Sequence, residues 1–124
     1  MRMISFTLQN ISLDQIDQDL SRINEHWKKV RGLLLWPSNL ELVSQVNHRL
    51  QDQYLIMREW ELRDVRTSAA AILWVDPNSQ NCEVFLTCPR WMDKKFVLVF
   101  IMALMNIDDP SQVDVPSYMS QNQT

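Results

Sequence analysis

A chain of 124 residues with 46% apolar and 22% charged residues has the size and composition of one folded domain, which argues against disorder and against several domains. A single glycine excludes the Gly-rich nucleotide-binding motifs, because GxGxxG and the Walker A loop each need at least two. The net charge of −3 is unlike that of most nucleic-acid-binding proteins, whose affinity depends on neutralising phosphates.

The N-terminal part of the chain predicts a strand followed by a helix. Residues 3–9 alternate between apolar and polar side chains, which is typical of a half-buried strand. Ser12 and Gln15 then have the spacing of a capping box, and apolar residues recur at steps of three and four from Ile16 to Val30. Gly32 is the candidate C-terminal cap of this helix.

The next stretch predicts a long second helix, from about Asn39 to about Arg63. It opens with a second capping box, formed by Ser38 and Glu41, and its apolar residues keep helical spacing with no glycine or proline between them. Alternating apolar residues near its end leave a strand open as an alternative for residues 54–66.

The second half of the chain predicts a β-hairpin and a last helix. Residues 69–75 and 82–88 are rich in strand-forming residues, and the turn sequence DPNSQN separates them. Residues 90–106 predict a helix, whose ten consecutive apolar residues from Phe96 to Met105 need apolar cover on every side. They are too few for a membrane span, which needs about 20. The cover comes either from the other helices or from a partner.

These elements predict an α+β fold, helix-rich, with the order β-α-α-β-β-α and a small antiparallel or mixed sheet packed against three helices. Residues 1–109 form the single domain, and residues 110–124 form a polar, flexible tail. Cys82 and Cys88 would lie about 20 Å apart along one strand, too far for a disulfide. With no signal sequence in view, we expect a cytoplasmic protein with reduced thiols.

No catalytic, cofactor or metal motif stands out in the sequence. His26 and His48 belong to no catalytic pattern, and the cysteines and histidines lack the spacings of metal ligands. We therefore expect no cofactor, no metal and no catalytic residue.

The sequence instead favours a non-catalytic protein-binding module of the adaptor, chaperone-like or inhibitor and immunity type, acting in a homodimer or heteromer. Five tryptophans and seven methionines support this hypothesis, because both residue types are common at adaptable interfaces. The expected partner is another protein or a second copy of the chain, bound through the last helix and the hairpin. The candidate partner-binding residues are Trp60, Trp74, Trp91, Met92, Phe96 and Phe100.

Two other classes of function stay open. One is a small enzyme that uses His26 or His48 with a neighbouring carboxylate. The other is a nucleic-acid-binding protein that uses the arginine-rich end of the second helix, at Arg58, Arg63 and Arg66. Acidic residues alternate with these arginines, which favours pairing within the chain over binding to phosphates.

Overall fold

A five-stranded antiparallel sheet forms the centre of the computed structural model, which describes residues 1–30 and 39–122. The predicted α+β class is confirmed, and the sheet is antiparallel throughout. In spatial order the strands run β1-β5-β4-β3-β2, with bounds β1 (Arg2–Leu8), β2 (Glu41–Arg49), β3 (Tyr54–Leu62), β4 (Thr67–Val75) and β5 (Cys82–Cys88). The α-helices of the described residues are α1 (Leu13–Ser21), α2 (Ile23–Val30), α3 (Asp93–Met105) and α4 (Val115–Met119).

The helices cover one face of this sheet, which we call the inner face. Alternate side chains of the strands point toward it, and those of Ile4, Leu73 and Leu86 are fully buried there. Ile16 of α1 and Trp27 of α2 belong to the same core, as does most of α3. The inward-facing alternate residues of the strands and the apolar faces of the helices therefore pack together in one hydrophobic layer.

Helix α3 is covered by other parts of the chain. Nine of its 13 residues are buried, because it contacts α1, α2, α4 and β5. The ring of Phe100 packs edge to face against Phe96 at 5.0 Å and against Trp60 of β3 at 5.5 Å. The helix ends at Asn106, close to its predicted end, where a left-handed φ of 55° stops it. The protein itself thus supplies the apolar cover that the sequence demanded.

The long second helix predicted from about Asn39 to about Arg63 is wrong, because this stretch forms the β2–β3 hairpin. The strand left open as an alternative for residues 54–66 is present as β3. A turn at Leu50–Gln53 joins the two strands, closed by a 2.8 Å hydrogen bond from the Leu50 N–H to the Gln53 carbonyl. This turn contains no glycine or proline, so the sequence carries no obvious mark of it.

The apparent helical face of this stretch is an accident of spacing. Val43, Val46 and Met57, which suggested one apolar stripe, are between 38% and 48% exposed. The residues of β3 that are buried follow a period of two instead. Of the second capping box, Glu41 begins β2, and Ser38 lies outside the described residues.

The first helix and the last hairpin are close to their predictions. Ser12 caps the first helix by position but without a side-chain hydrogen bond, and the helix is divided at Arg22 into α1 and α2. The Arg22 N–H donates to the Asp19 carbonyl three residues back, which is a tighter turn than an α-helix makes. Strands β4 and β5 pair as predicted. Gly32, the candidate cap, lies outside the described residues.

The C-terminal segment packs on the rest of the domain as far as residue 122. Helix α4 contacts β1 and α3, and its Tyr118 ring lies 5.7 Å from the ring of Phe6. Beyond α4, Oε1 of Gln121 accepts a 3.1 Å hydrogen bond from the Thr7 N–H. One of the two edge strands of the sheet is therefore partly covered by this segment.

Candidate protein-interaction surface

The face of the sheet opposite the helices carries a broad apolar surface, which we call the outer face. A row of side chains crosses all five strands there, because Phe85, Ile72 and Met57 lie opposite one another in the strand register. Val46 of β2 extends the row at one end and Ser5 of β1 at the other. At about 4.8 Å per strand the row is about 19 Å long. None of the four described α-helices lies over its middle.

More apolar residues flank this row on both sides. Met3 is 65% exposed and Met57 38%, while most of the others are half-buried. A shallow cavity of about 260 Å³ opens among six of these side chains. It is lined by Met3, Ala70, Ile72, Trp74, Phe85 and Thr87. Contiguous apolar surface of this kind on a soluble domain typically marks a binding site for another molecule.

The charged residues that point outward from the described strands are all carboxylates, while Arg63 and Arg66 line a cavity with Glu61 and Ser68 at one end of the face. Glu59, Glu61 and Glu83 are exposed on it and take part in none of the ion pairs among the described residues. Glu41 also points outward and pairs with Arg63, at 2.8 Å between the carboxylate and Nε. No lysine or arginine occupies an outward position on any of the five described strands.

Strand β2 forms the open edge of the sheet. All its residues after Glu41 are exposed. The Leu50–Gln53 hydrogen bond fixes which residues of β2 bond to β3, since such bonds fall on alternate residues of an antiparallel pair. The backbone groups of Gln45, Asn47 and Arg49 consequently point away from the sheet. Edge strands with free backbone groups are sites where other chains add a strand.

A buried arginine fixes the position of this edge strand. The side chain of Arg58, on β3, is 5% exposed and lies on the inner face. Its Nη2 donates to Oδ1 of Asp17 on α1 at 2.5 Å, and its Nη1 donates to Oδ1 of Asn47 on β2 at 2.8 Å. The Met57 carbonyl accepts a further 2.8 Å bond from Nη1. We call Arg58, Asp17 and Asn47 the Arg58 cluster; it joins α1 to the open edge.

The six candidate partner-binding residues fall into two groups, four in the core and two at the surface. Trp60, Met92, Phe96 and Phe100 are between 0% and 2% exposed and belong to the core, so a partner does not reach them in the folded protein. Trp74 lies half-buried on the outer face, and Trp91 is 44% exposed at the turn before α3.

Sequence reasoning named the hairpin and Trp74 as partner-binding but missed that this surface continues across β3 and β2, although the sequence carried a signal for an outer apolar face. Residues 69–75 are apolar at every position, and one set of alternate residues was enough for the core. The second set, Ala70, Ile72 and Trp74, lies on the outer face. An antiparallel strand that is apolar on both sides thus indicated a second contact.

The histidines lie in unrelated environments. His26 on α2 is 3% exposed, and its Nδ1 has no hydrogen-bond partner among the described residues. Burial lowers the pKa of His26, and the neighbouring cations of Arg22 and Lys29 lower it further. His48 is exposed on β2. Neither imidazole lines the outer-face cavity.

The two cysteines are free thiols at opposite ends of β5, as the spacing predicted. Both are fully buried on the inner face, and burial raises the pKa of each thiol to about 12. A thiol in this state is a poor nucleophile. Across residues 1–30 and 39–122, no three His, Cys, Asp or Glu side chains are grouped as metal ligands.

The three arginines suggested for nucleic-acid binding do not form one surface. Arg58 is buried in its cluster, and Arg63 is paired with Glu41.

None of the helices within the described ranges is both long and apolar enough to cross a membrane. Comparison of the chain with protein-family models, curated proteins and solved structures finds no match.

Proposed function

We propose that this protein is a non-catalytic protein-binding module that holds its partner on the outer face of the sheet. One observation carries the proposal: an apolar row crosses from β5 to β2 with none of the described helices over its middle. Phe85, Ile72 and Met57 form the centre of the row, and Val46 ends it. Adaptor, chaperone-like and inhibitor proteins all act through surfaces of this kind.

The composition of the outer face supports an interface. Tryptophan is the residue type most enriched among residues that dominate binding energy, and Trp74 stands beside the cavity. Methionine adapts its shape to a partner, and Met3 and Met57 are both exposed. Burying a large apolar side chain fully contributes about 1.5–3 kcal/mol. Several such residues together offset the cost of association, about 4–15 kcal/mol of lost translational and rotational freedom.

The two alternative functions draw less support from the geometry. A histidine-dependent enzyme needs an imidazole in a cleft with converging polar groups. His26 is buried, and no described residue bonds to its Nδ1, while His48 lies on an exposed strand. A nucleic-acid-binding face needs clustered cations, and the outer face carries carboxylates instead.

Site-specific photo-crosslinking in the cells that make the protein tests the proposal. A photoreactive phenylalanine analogue replaces Trp74 on the outer face in one variant. In the control variant it replaces Gln18, which is exposed on α1 in the helix layer. We expect discrete protein adducts from the position of Trp74 and none of the same mass from the position of Gln18.

A second substitution shows whether the adducts depend on the apolar row. Ile72→Glu places a charge beside Trp74 on the outer face, and we expect it to remove the adducts while the fold, followed by circular dichroism, is retained. Equal adducts at both positions would contradict the proposal. So would the absence of adducts from the position of Trp74.

A further inference from the structure

We infer that the partner segment on the outer face is an amphipathic helix of another protein, with apolar side chains on one side and lysines or arginines along its flanks. The inference rests on the proposed function and adds the chemistry of the partner. It follows from the backbone of the sheet, from the charges on the outer face, and from the length of the apolar row.

The backbone of the sheet favours a helix over an extended segment. In the middle of the face, the backbone groups of β3, β4 and β5 are already paired with neighbouring strands. A segment that lies flat on this face therefore finds no backbone partners there. Burying unpaired N–H and C=O groups is costly, whereas a helix satisfies its own.

The charges on the outer face select a basic segment. Glu83 lies next to Trp74 on one side of the apolar row, and Glu59 lies on the other side, with Glu61 beyond it. A helix along the row is thus flanked by Glu83 on one side and by Glu59 on the other, and neither carboxylate takes part in an ion pair among the described residues, whereas Glu61 lies beside Arg63 and Arg66. Lysines or arginines on both flanks of the helix would be complementary in charge to these carboxylates.

The same charges disfavour a second copy bound face to face. Two outer faces in contact would bring Glu59, Glu61 and Glu83 of each copy toward the carboxylates of the other. Like charges in an interface oppose association. A symmetric dimer through two outer faces is therefore disfavoured, which favours a different protein as the partner.

The length of the row sets the size of the helix. The apolar part of the row, from Phe85 to Val46, spans three strand spacings, or about 14 Å, which corresponds to about ten helical steps of about 1.5 Å. Apolar residues at positions i, i+3, i+7 and i+10 of such a helix lie about 4.5 to 6 Å apart along its axis. This spacing is close to that of the strands, so the four residues reach Phe85, Ile72, Met57 and Val46 in turn.

Binding of two synthetic peptides to the full chain tests the inference. One peptide of about 18 residues has leucine at helical spacing and lysine elsewhere, and the other has glutamate in place of every lysine. Fluorescence anisotropy measures both affinities. We expect the lysine peptide to bind at least about tenfold more tightly than the glutamate peptide, and to weaken as salt rises.

Charge reversal on the outer face should invert this preference. The triple variant Glu59→Lys, Glu61→Lys and Glu83→Lys is expected to weaken the lysine peptide about tenfold and to bind the glutamate peptide more tightly. The control variant Asp14→Lys, Glu25→Lys and Asp108→Lys makes the same change in net charge on exposed residues outside the sheet. It should leave the preference in place. Ile72→Glu should abolish binding of the lysine peptide.

Three results of these binding and scattering measurements would overturn the inference, and one result of the crosslinking would do so as well. The three are equal affinity for the two peptides, equal effects of the two triple variants, and self-association that the outer-face reversal abolishes, measured by light scattering. Photo-adducts at the position of Trp74 that persist in the outer-face triple variant would also overturn the basic helix, but they would leave the protein-binding function standing. Absence of those adducts contradicts the function itself.

Discussion

Among the residues that the structure describes, His26 has the one buried side-chain nitrogen or oxygen without a hydrogen-bond partner. Its Nδ1 has no hydrogen-bond partner in the described part of the chain. The charges around it are Arg22, Lys29, Glu25 and Asp108, and burial is the largest influence on its pKa. A buried imidazole without a partner is stable only in its neutral form.

The lowered pKa of His26 predicts a loss of stability in mild acid. The unfolded chain takes up the proton near the ordinary pKa of 6.5, before the folded protein does, so the free energy of unfolding falls as the pH drops below that value. Urea unfolding at about pH 7.5 and about pH 5 measures the effect. His26→Leu should reduce this pH dependence, and His48→Gln should retain it. Equal pH dependence in wild type and His26→Leu would contradict the prediction.

The buried thiols predict chemical inertness. With a pKa of about 12, about one thiol in ten thousand is ionised at about pH 8, so neither Cys82 nor Cys88 should react with iodoacetamide in the folded protein. Both should react in urea. Mass spectrometry of the alkylated chain counts the modifications. Modification of either cysteine at the rate of a free thiol before unfolding would show that β5 opens locally.

The position of β2 depends on a polar contact within a layer that is mostly apolar. Helix α1 holds this strand through the Arg58 cluster, in which the guanidinium is buried and the Asp17 carboxylate is 61% exposed. The edge strand has no strand on its other side, so this contact replaces part of the support that inner strands receive from both neighbours.

Removing the carboxylate from the Arg58 cluster should destabilise the protein moderately. Asp17→Ala leaves a buried guanidinium with its bonds to Asn47 and the Met57 carbonyl, and we expect a cost of about 1–2 kcal/mol in urea unfolding. Asp14→Ala, an exposed carboxylate on the same helix, should cost less. Arg58→Met should lower the cost of Asp17→Ala in the double variant. Additive costs would show that the pair is not coupled.

The protein as a whole is a sheet with one face in the core and one face toward its surroundings. Stability comes from the inner face, and the outer face is available for binding. The four candidate residues in the core, among them Phe96 and Phe100, therefore report on folding when they are mutated. Trp74 and its neighbours report on the proposed interface.

Matched substitutions on the two faces should separate stability from surface character. Met57→Lys on the outer face should change the free energy of unfolding by less than about 1 kcal/mol and should reduce binding of the dye ANS, which reports exposed apolar surface. Leu73→Lys on the inner face, where the side chain is fully buried, should prevent folding. Urea unfolding and dye fluorescence measure both. A large loss of stability in Met57→Lys would contradict the division into two faces.

The elements with a strong local sequence signal were predictable from the sequence. The β4–β5 hairpin has a turn rich in Asp, Pro and Asn, and α3 combines length with continuous apolar character. The β2–β3 hairpin was not predictable, because its turn lacks glycine and proline. In addition, Val43, Val46 and Met57 happen to recur at helical steps. The apolar periodicity of that stretch fits both a helix and a strand, and the pairing of β3 with β4 favours the strand.

The order of residues was enough to predict an α+β class, free thiols too far apart to bridge, and a last helix that must be buried on all sides. Those properties follow from local spacing and composition. The tertiary structure alone decided that the chain itself buries α3 and that the apolar surface left open by the described helices lies on the outer face. Which residues lie at the surface depends on long-range strand pairing, because the pairing divides the side chains between the two faces of the sheet. Met57 and Ile72, for example, become neighbours only through the register of β3 against β4.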